Sequence, residues 1–183
     1  MLHAGLDKDQ RPESQLCNFE EHVFAFVNTR KIGLYNMEDL LHNPHAFAPN
    51  GATIFNIPLP NRNRMTKKKF KRVKGINRYQ CDTHMHMNGW MLGLTHPYFD
   101  VSDKNGAFEI KDIPPGKYKL VVRHDGYNIN EFAADKRPVY DEPHIIEKEI
   151  ELTSGQIIDL GFEFPVREVK VNQEKMKRQV AGH

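Results

Sequence analysis

Residues 81–87 read Cys81-Asp82-Thr83-His84-Met85-His86-Met87. One of the chain's two cysteines, two of its ten histidines and two of its seven methionines fall in this run, so it concentrates metal-binding chemistry rather than packing. Thiolate, imidazole and thioether are soft or borderline donors that suit copper and zinc better than magnesium or calcium. The Cys-x2-His-x2-Met spacing precedes an apolar stretch from Trp90 to Leu94, which places three donor types on one short loop entering a strand. A trigonal His2Cys set with a weak axial Met is a blue-copper arrangement, and the fourth ligand missing from this spacing is a histidine from outside the loop. That residue is expected at a distant strand end, where the chain offers His42, or else His45 three residues on. On extended backbone these two point to opposite sides, so at most one faces the metal. Cysteine and histidine also build tetrahedral zinc sites, so donor type alone leaves the ion open.

Outward from the loop the chain reads as short strands and turns. Upstream, residues 22–27 form an apolar, aromatic run and 31–36 alternate, and both are expected to be strands. Residues 36–41 are expected to turn, Pro49-Asn50-Gly51 is a turn signal, and 53–57 is a strand closed by Pro58 and Pro60. Downstream, Val101 begins a strand, Asp103-Lys104-Asn105-Gly106 turns, and 107–110 is a strand. Ile113-Pro114-Pro115-Gly116 turns again, ahead of a strand over 118–124. Period-2 alternation over 145–152 and again over 156–164 predicts two half-buried strands, with 128–142 a polar loop between. Residues 1–15 read as a polar arm and 166–183 as a tail. Short strands separated by turns argue an all-β sandwich.

Composition limits the function classes. A chain of 183 residues is one ordinary domain or two small ones, and a net charge of +2 does not make a nucleic-acid binder. Residues 61–78 hold Arg62, Arg64, Lys67, Lys68, Lys69, Lys71, Arg72, Lys74 and Arg78 with no acid among them. That stretch reads as a solvated strand face, or as a docking surface for an acidic protein or anionic surface. It has no stacking platform for nucleic acid. There is no run of eighteen apolar residues, hence no expected membrane span, and Met1 to Asp9 lacks a signal-peptide core. Cys17 reads as a small buried residue; a bridge to Cys81 and a metal role with His22 are the alternatives. No nucleophile elbow, phosphate loop or zinc-protease motif occurs, so no enzyme is expected.

Two blocks carry a family resemblance. The run Leu40-Leu41-His42-Asn43-Pro44-His45-Ala46-Phe47 resembles the His-Asn strand end of the cupredoxins, and Cys81-x2-His84-x2-Met87 is similar to the short ligand loop of amicyanin. The segment from His96-Pro97-Tyr98-Phe99 through Asp103, Gly106, Phe108 and Pro114-Pro115-Gly116-Lys117-Tyr118 resembles the carboxypeptidase regulatory-like, transthyretin-type β-sandwich. Bacterial exported proteins of methylamine-utilisation type join the two. The resemblance implies a cupredoxin-like Greek-key sandwich over 16–95 followed by a transthyretin-like sandwich over 96–165. It implies one type 1 copper held by His42, Cys81, His84 and Met87, with Asn43 after His42 favouring that histidine over His45. Met85 and His86 stand where such loops carry Pro and Trp, which adds a thioether and an imidazole beside the site. The expected function is electron transfer to a redox protein or within a membrane complex, in the periplasm or another exported location. The partner would dock through residues 87–90 or 61–78. A structural accessory subunit with an empty site, and a Cu(I) carrier using Met85, Met87 and Met91, are the competing readings.

Overall fold

The computed structural model describes residues 2–3, 17, 19–28, 31–63, 65–69 and 73–164. Among them are twelve strands and no helix: β1 Leu2–His3, β2 Val23–Val27, β3 Lys31–Tyr35, β4 Pro44–Phe47, β5 Thr53–Asn56, β6 Met65–Lys69, β7 Gly75–Cys81, β8 Asn88–Leu94, β9 Gly116–His124, β10 Ile129–Phe132, β11 Pro138–Tyr140 and β12 His144–Leu152. The chain divides into two compact units, Met1–Lys111 and Asp112–His183. Residues 96–111 therefore belong with the first unit.

The first unit holds a five-stranded sheet in the order β2-β8-β7-β4-β5 and a three-stranded sheet in the order β1-β3-β6. Strand β2 runs parallel to β8, and the other pairs are antiparallel. Alternation decides which side chains go inside. Phe24 and Phe26 of β2, Ala46 of β4, Phe55 of β5, Tyr79 and Cys81 of β7 and Met91 of β8 join Leu34 of β3 in one buried cluster. Residues of both sheets thus share a core, which is the arrangement of a β-sandwich. Strand β8 turns Gly89, Met91 and Gly93 inward. A Cβ on Gly89 would overlap the His22 carbonyl oxygen and the Tyr79 ring, and one on Gly93 would overlap the Val73 carbonyl. Glycine is needed at both positions because neighbouring backbone comes so close.

The second unit pairs β9 with β12 antiparallel along their whole length, His144 opposite His124 and Leu152 opposite Gly116. Tyr118, Leu120 and Val122 of β9 and Ile146, Ile150 and Leu152 of β12 form its half-buried face. Lys117 and Lys119 face Glu151 and Glu147 on the other side. Strands β10 and β11 form a separate hairpin.

The structure corrects four expectations. Val101 and residues 107–110 are not strands. The Asp100 carboxylate accepts the Glu109 amide (2.7 Å), and the Asp103 carboxylate accepts those of Asn105 (2.8 Å) and Ala107 (2.9 Å), so side chains take the donors that a ladder would need. Residues 156–164 alternate but pair with no strand among the described residues, and Ile157 is 94 % exposed. Residues 128–142 are not a loop: they contain the β10–β11 hairpin, tightened where Ala133 and Lys136–Arg137 exchange backbone hydrogen bonds. Leu2–His3 of the expected arm pair with β3. The other residues of that arm, apart from these two, and the tail beyond 164 lie outside the described residues.

Candidate metal centre

Three backbone features assemble the site. The β4–β7 register sets Pro44 opposite Cys81, which brings the chain just ahead of β4 beside the end of β7. His42 is pinned there by reciprocal bonds with Leu59, His42 N–H to Leu59 O at 3.1 Å and Leu59 N–H to His42 O at 2.7 Å. The loop 82–87 closes through Cys81 N–H to Met87 O (3.0 Å) and Met87 N–H to His84 O (3.1 Å), and is tied to the His42 segment through Asp82 N–H to Asn43 O (3.0 Å).

These constraints bring both imidazoles to one sulfur. Cys81 Sγ lies 3.9 Å from His42 Nδ1 and 3.6 Å from His84 Nδ1, and the two rings stand 4.8 Å apart. A cation bound at ~2.3 Å to sulfur and ~2.0–2.1 Å to each nitrogen separates S from N by ~3.5–3.8 Å at tetrahedral to trigonal angles. The two observed S···N separations lie within ~0.1 Å of that span. Cys81 and His42 are buried and His84 is half-buried, giving a site closed on one side and open at a histidine edge. Met87 ends the loop and is buried at 1 % exposure.

The sulfur is held as an acceptor. The Asn43 amide donates to it (3.3 Å), and Thr83 Oγ1 lies 3.0 Å away while also reaching the Leu41 carbonyl (3.0 Å). Burial pushes the Cys81 thiol up, but hydrogen bonds from His42, Thr83, the Asn43 amide and His84 outweigh it and bring the group down to about 5. These contacts favour the thiolate, the form that ligates metals. A soft cation would replace the two imidazole contacts that favour the thiolate here.

Glu38 was not singled out from the sequence, yet it orients His42. Its Oε2 lies 2.5 Å from His42 Nε2, and its Oε1 accepts the Cys17 amide at 2.9 Å. An ionised carboxylate only accepts, so His42 carries a proton on Nε2, and Nδ1, the nitrogen toward the sulfur, donates to it when the ring is protonated on both nitrogens. Carboxylate partners behind ligating histidines serve this purpose in metal sites. Asn36 builds the turn that places Glu38: its amide donates to Leu40 O (2.7 Å) and Leu59 O (2.8 Å) while its Oδ1 accepts the Glu38 amide (2.9 Å).

Cys17 is not bridged: neither cysteine forms a disulfide. It is half-buried, and its Sγ lies 3.5 Å from His84 Nε2. Cys17, His42 and His84 form a group whose donor atoms all lie within 4.8 Å of one another, so this group could also hold a metal ion. The Glu38 carboxylate, which accepts the Cys17 amide, is part of its surroundings. His45 faces elsewhere, bonded to Asp82 Oδ2 (2.8 Å) and Thr53 Oγ1 (2.9 Å). Met91 is core, and Met85 is exposed.

No protein-family model, curated protein or solved structure matches this chain. The site is therefore read from its own atoms. Among the described residues no helix is long and apolar enough to cross a membrane.

Proposed function

We propose that this chain is a copper-binding electron-transfer protein of blue-copper type, built as a cupredoxin-like sandwich joined to a transthyretin-like one. The observation that carries the reading is the convergence of two imidazole Nδ1 atoms on one buried cysteine sulfur at 3.6 and 3.9 Å. His42, Cys81 and His84 would supply the trigonal set and Met87 the axial thioether, as in His2Cys centres with a weak axial ligand. Such an ion supplies one-electron exchange with little change in its ligands. The protein's part is rigidity. The Leu59 bridge fixes His42, Glu38 fixes its ring, and the Asn43 amide fixes the sulfur. The half-buried His84 offers the edge through which an electron leaves. Leu40, Leu41 and Met85, three exposed apolar side chains next to ligand residues in sequence, suit transient docking of a redox partner.

The test is a visible spectrum with metal analysis on the same oxidised and reduced sample. An intense, reversible thiolate-to-copper band at about one copper per chain, lost in Cys81→Ser with the β-sheet circular dichroism retained, supports the reading. A protein that stays colourless with Cu(II) while Cys81 is reduced ends it.

The accessory-subunit reading draws on the second unit. There Val121, Val139, Tyr140 and Ile145 are exposed, and two-stranded sheets alone bury little. These features fit assembly onto a larger complex, and a colourless protein would favour that role.

A further inference from the structure

His84 meets a thiol at each of its ring nitrogens: Cys81 Sγ is 3.6 Å from Nδ1 and Cys17 Sγ is 3.5 Å from Nε2. A blue-copper centre uses only the first. The second contact is 0.1 Å shorter than the first, and a ring nitrogen of His42 completes a group whose donors lie within 4.8 Å of one another. Cys17 is also held in place. Its amide donates to Glu38 Oε1 (2.9 Å), His86 Nε2 donates to its carbonyl (2.6 Å), and its backbone is left-handed with φ 53°. A non-glycine residue in that region is uncommon, and here both of its peptide groups are bound to side chains of the two ligand-bearing segments. The thiol is half-buried where Cys81 is fully buried, so it stands on the solvent side of the imidazole.

We propose that Cys17 heads a second, outer position for a soft cation of the Cu(I) class, bound by Cys17 Sγ and the outer nitrogen of His84, with His42 the third donor in reach. Thiolate with imidazole selects thiophilic, low-coordinate ions over hard ones. Binding there releases the Cys17 thiol proton to solvent, together with the His84 Nε2 proton when Nδ1 already holds an ion, and involves no redox step. The proposal rests on the reading that these imidazoles serve a metal. It gives the centre an accessible station through which an ion is taken up or surrendered without opening the core around Cys81.

The experiment supplies Cu(I) anaerobically to the full chain and follows alkylation of Cys17 and Cys81 separately by mass spectrometry. In Cys81→Ser, about one equivalent of Cu(I) is expected to slow alkylation of Cys17 at least ~10-fold, because the free thiolate is the nucleophile. Adding His84→Ala to that variant should restore the rate. An unchanged rate at Cys17 in folded Cys81→Ser overturns the outer position, and so does protection that survives His84→Ala. Should Cys81→Ser not fold, the wild-type chain gives the same reading, since an unchanged Cys17 rate at excess Cu(I) also overturns it. The two failures separate by residue. Loss of protection at Cys81 alone ends the inner centre, and loss at Cys17 alone ends the outer one.

Discussion

Replacing Glu38 tests whether the imidazole geometry is imposed by the protein. The carboxylate is 2.5 Å from His42 Nε2, with the two side chains 10 % and 1 % exposed. Its other oxygen takes the Cys17 amide. Glu38→Ala leaves the buried Nε2–H without an acceptor, which costs ~1–3 kcal/mol of stability in the metal-free protein. Glu38→Gln keeps the shape. One amide oxygen can serve His42 or Cys17 but not both, and the NH2 end meets a donor with a donor. The glutamine variant should therefore be the more stable of the two. Metal affinity is a separate quantity. Outer partners of ligating histidines are worth ~10–100-fold in affinity, or ~1.4–2.7 kcal/mol. Both variants should lose that much, because both remove the charge that raises the basicity of Nδ1. The assay pairs urea denaturation of the metal-free proteins with competition against a chromophoric copper chelator. If both variants bind copper within ~3-fold of wild type, Glu38 does not orient a ligand, and the convergence on Cys81 is a packing feature.

Three further outcomes follow from the same geometry. Gly89→Ala should destabilise the first unit by ~1–3 kcal/mol or more, since the new methyl overlaps the His22 carbonyl and Tyr79; an unchanged urea midpoint would contradict the packing of β8 on β2 and β7. Burial, with Glu20 adding to it, pushes the Glu21 carboxyl up from 4.5 to about 7. The folded state therefore binds more protons than the unfolded chain between those values, and stability falls as pH rises through that window. Glu21→Gln should flatten that part of a stability-against-pH curve, and an identical slope in both proteins would count against the shift. His45→Ala should cost ~1–2 kcal/mol through its lost bonds to Asp82 and Thr53 yet leave the copper absorption band in place, whereas His42→Ala should remove the band.

How much was legible follows from the range of the interactions. Cys81, His84 and Met87 share one loop, so their spacing alone raised the metal question. Strand β2 was legible because Phe24 and Phe26 belong to one apolar, aromatic run and alternate onto a buried face, whereas β7, which carries Tyr79 and Cys81, was not read as a strand behind the charges of 61–78. The strand readings failed at 107–110, placed between two turn signals, and at 156–164, placed by alternation, because neither signal says anything of a partner strand. In the first case aspartate side chains captured the amides, and in the second no strand pairs with the segment among the described residues. The β10–β11 hairpin escaped notice because Glu131 and the 133–136 turn hide a short ladder in polar sequence.

The parts of the centre that the sequence did not reveal are those that come from afar. Cys17 reaches His84 across 67 residues and Glu38 binds the Cys17 amide across 21; no local pattern encodes such contacts. Glu38 and His42 are four apart, a spacing usually read as a helical pair, but here a turn built by Asn36 makes it. The capping of Glu38 by the Asn36 side chain was the one local signal available, an Asn-x-Glu turn just ahead of a candidate ligand. The asymmetry has a chemical consequence. On the proposed reading the donors on the loop set which ion is preferred, whereas the distant residues set which nitrogen of each imidazole faces it. Substitutions in 81–87 should change metal identity and colour, and substitutions at Cys17, Asn36 and Glu38 should change affinity and exchange while the colour persists. Spectra and exchange rates measured on the same set of variants separate the two groups, and a Cys17, Asn36 or Glu38 variant that binds copper but is colourless would break the division.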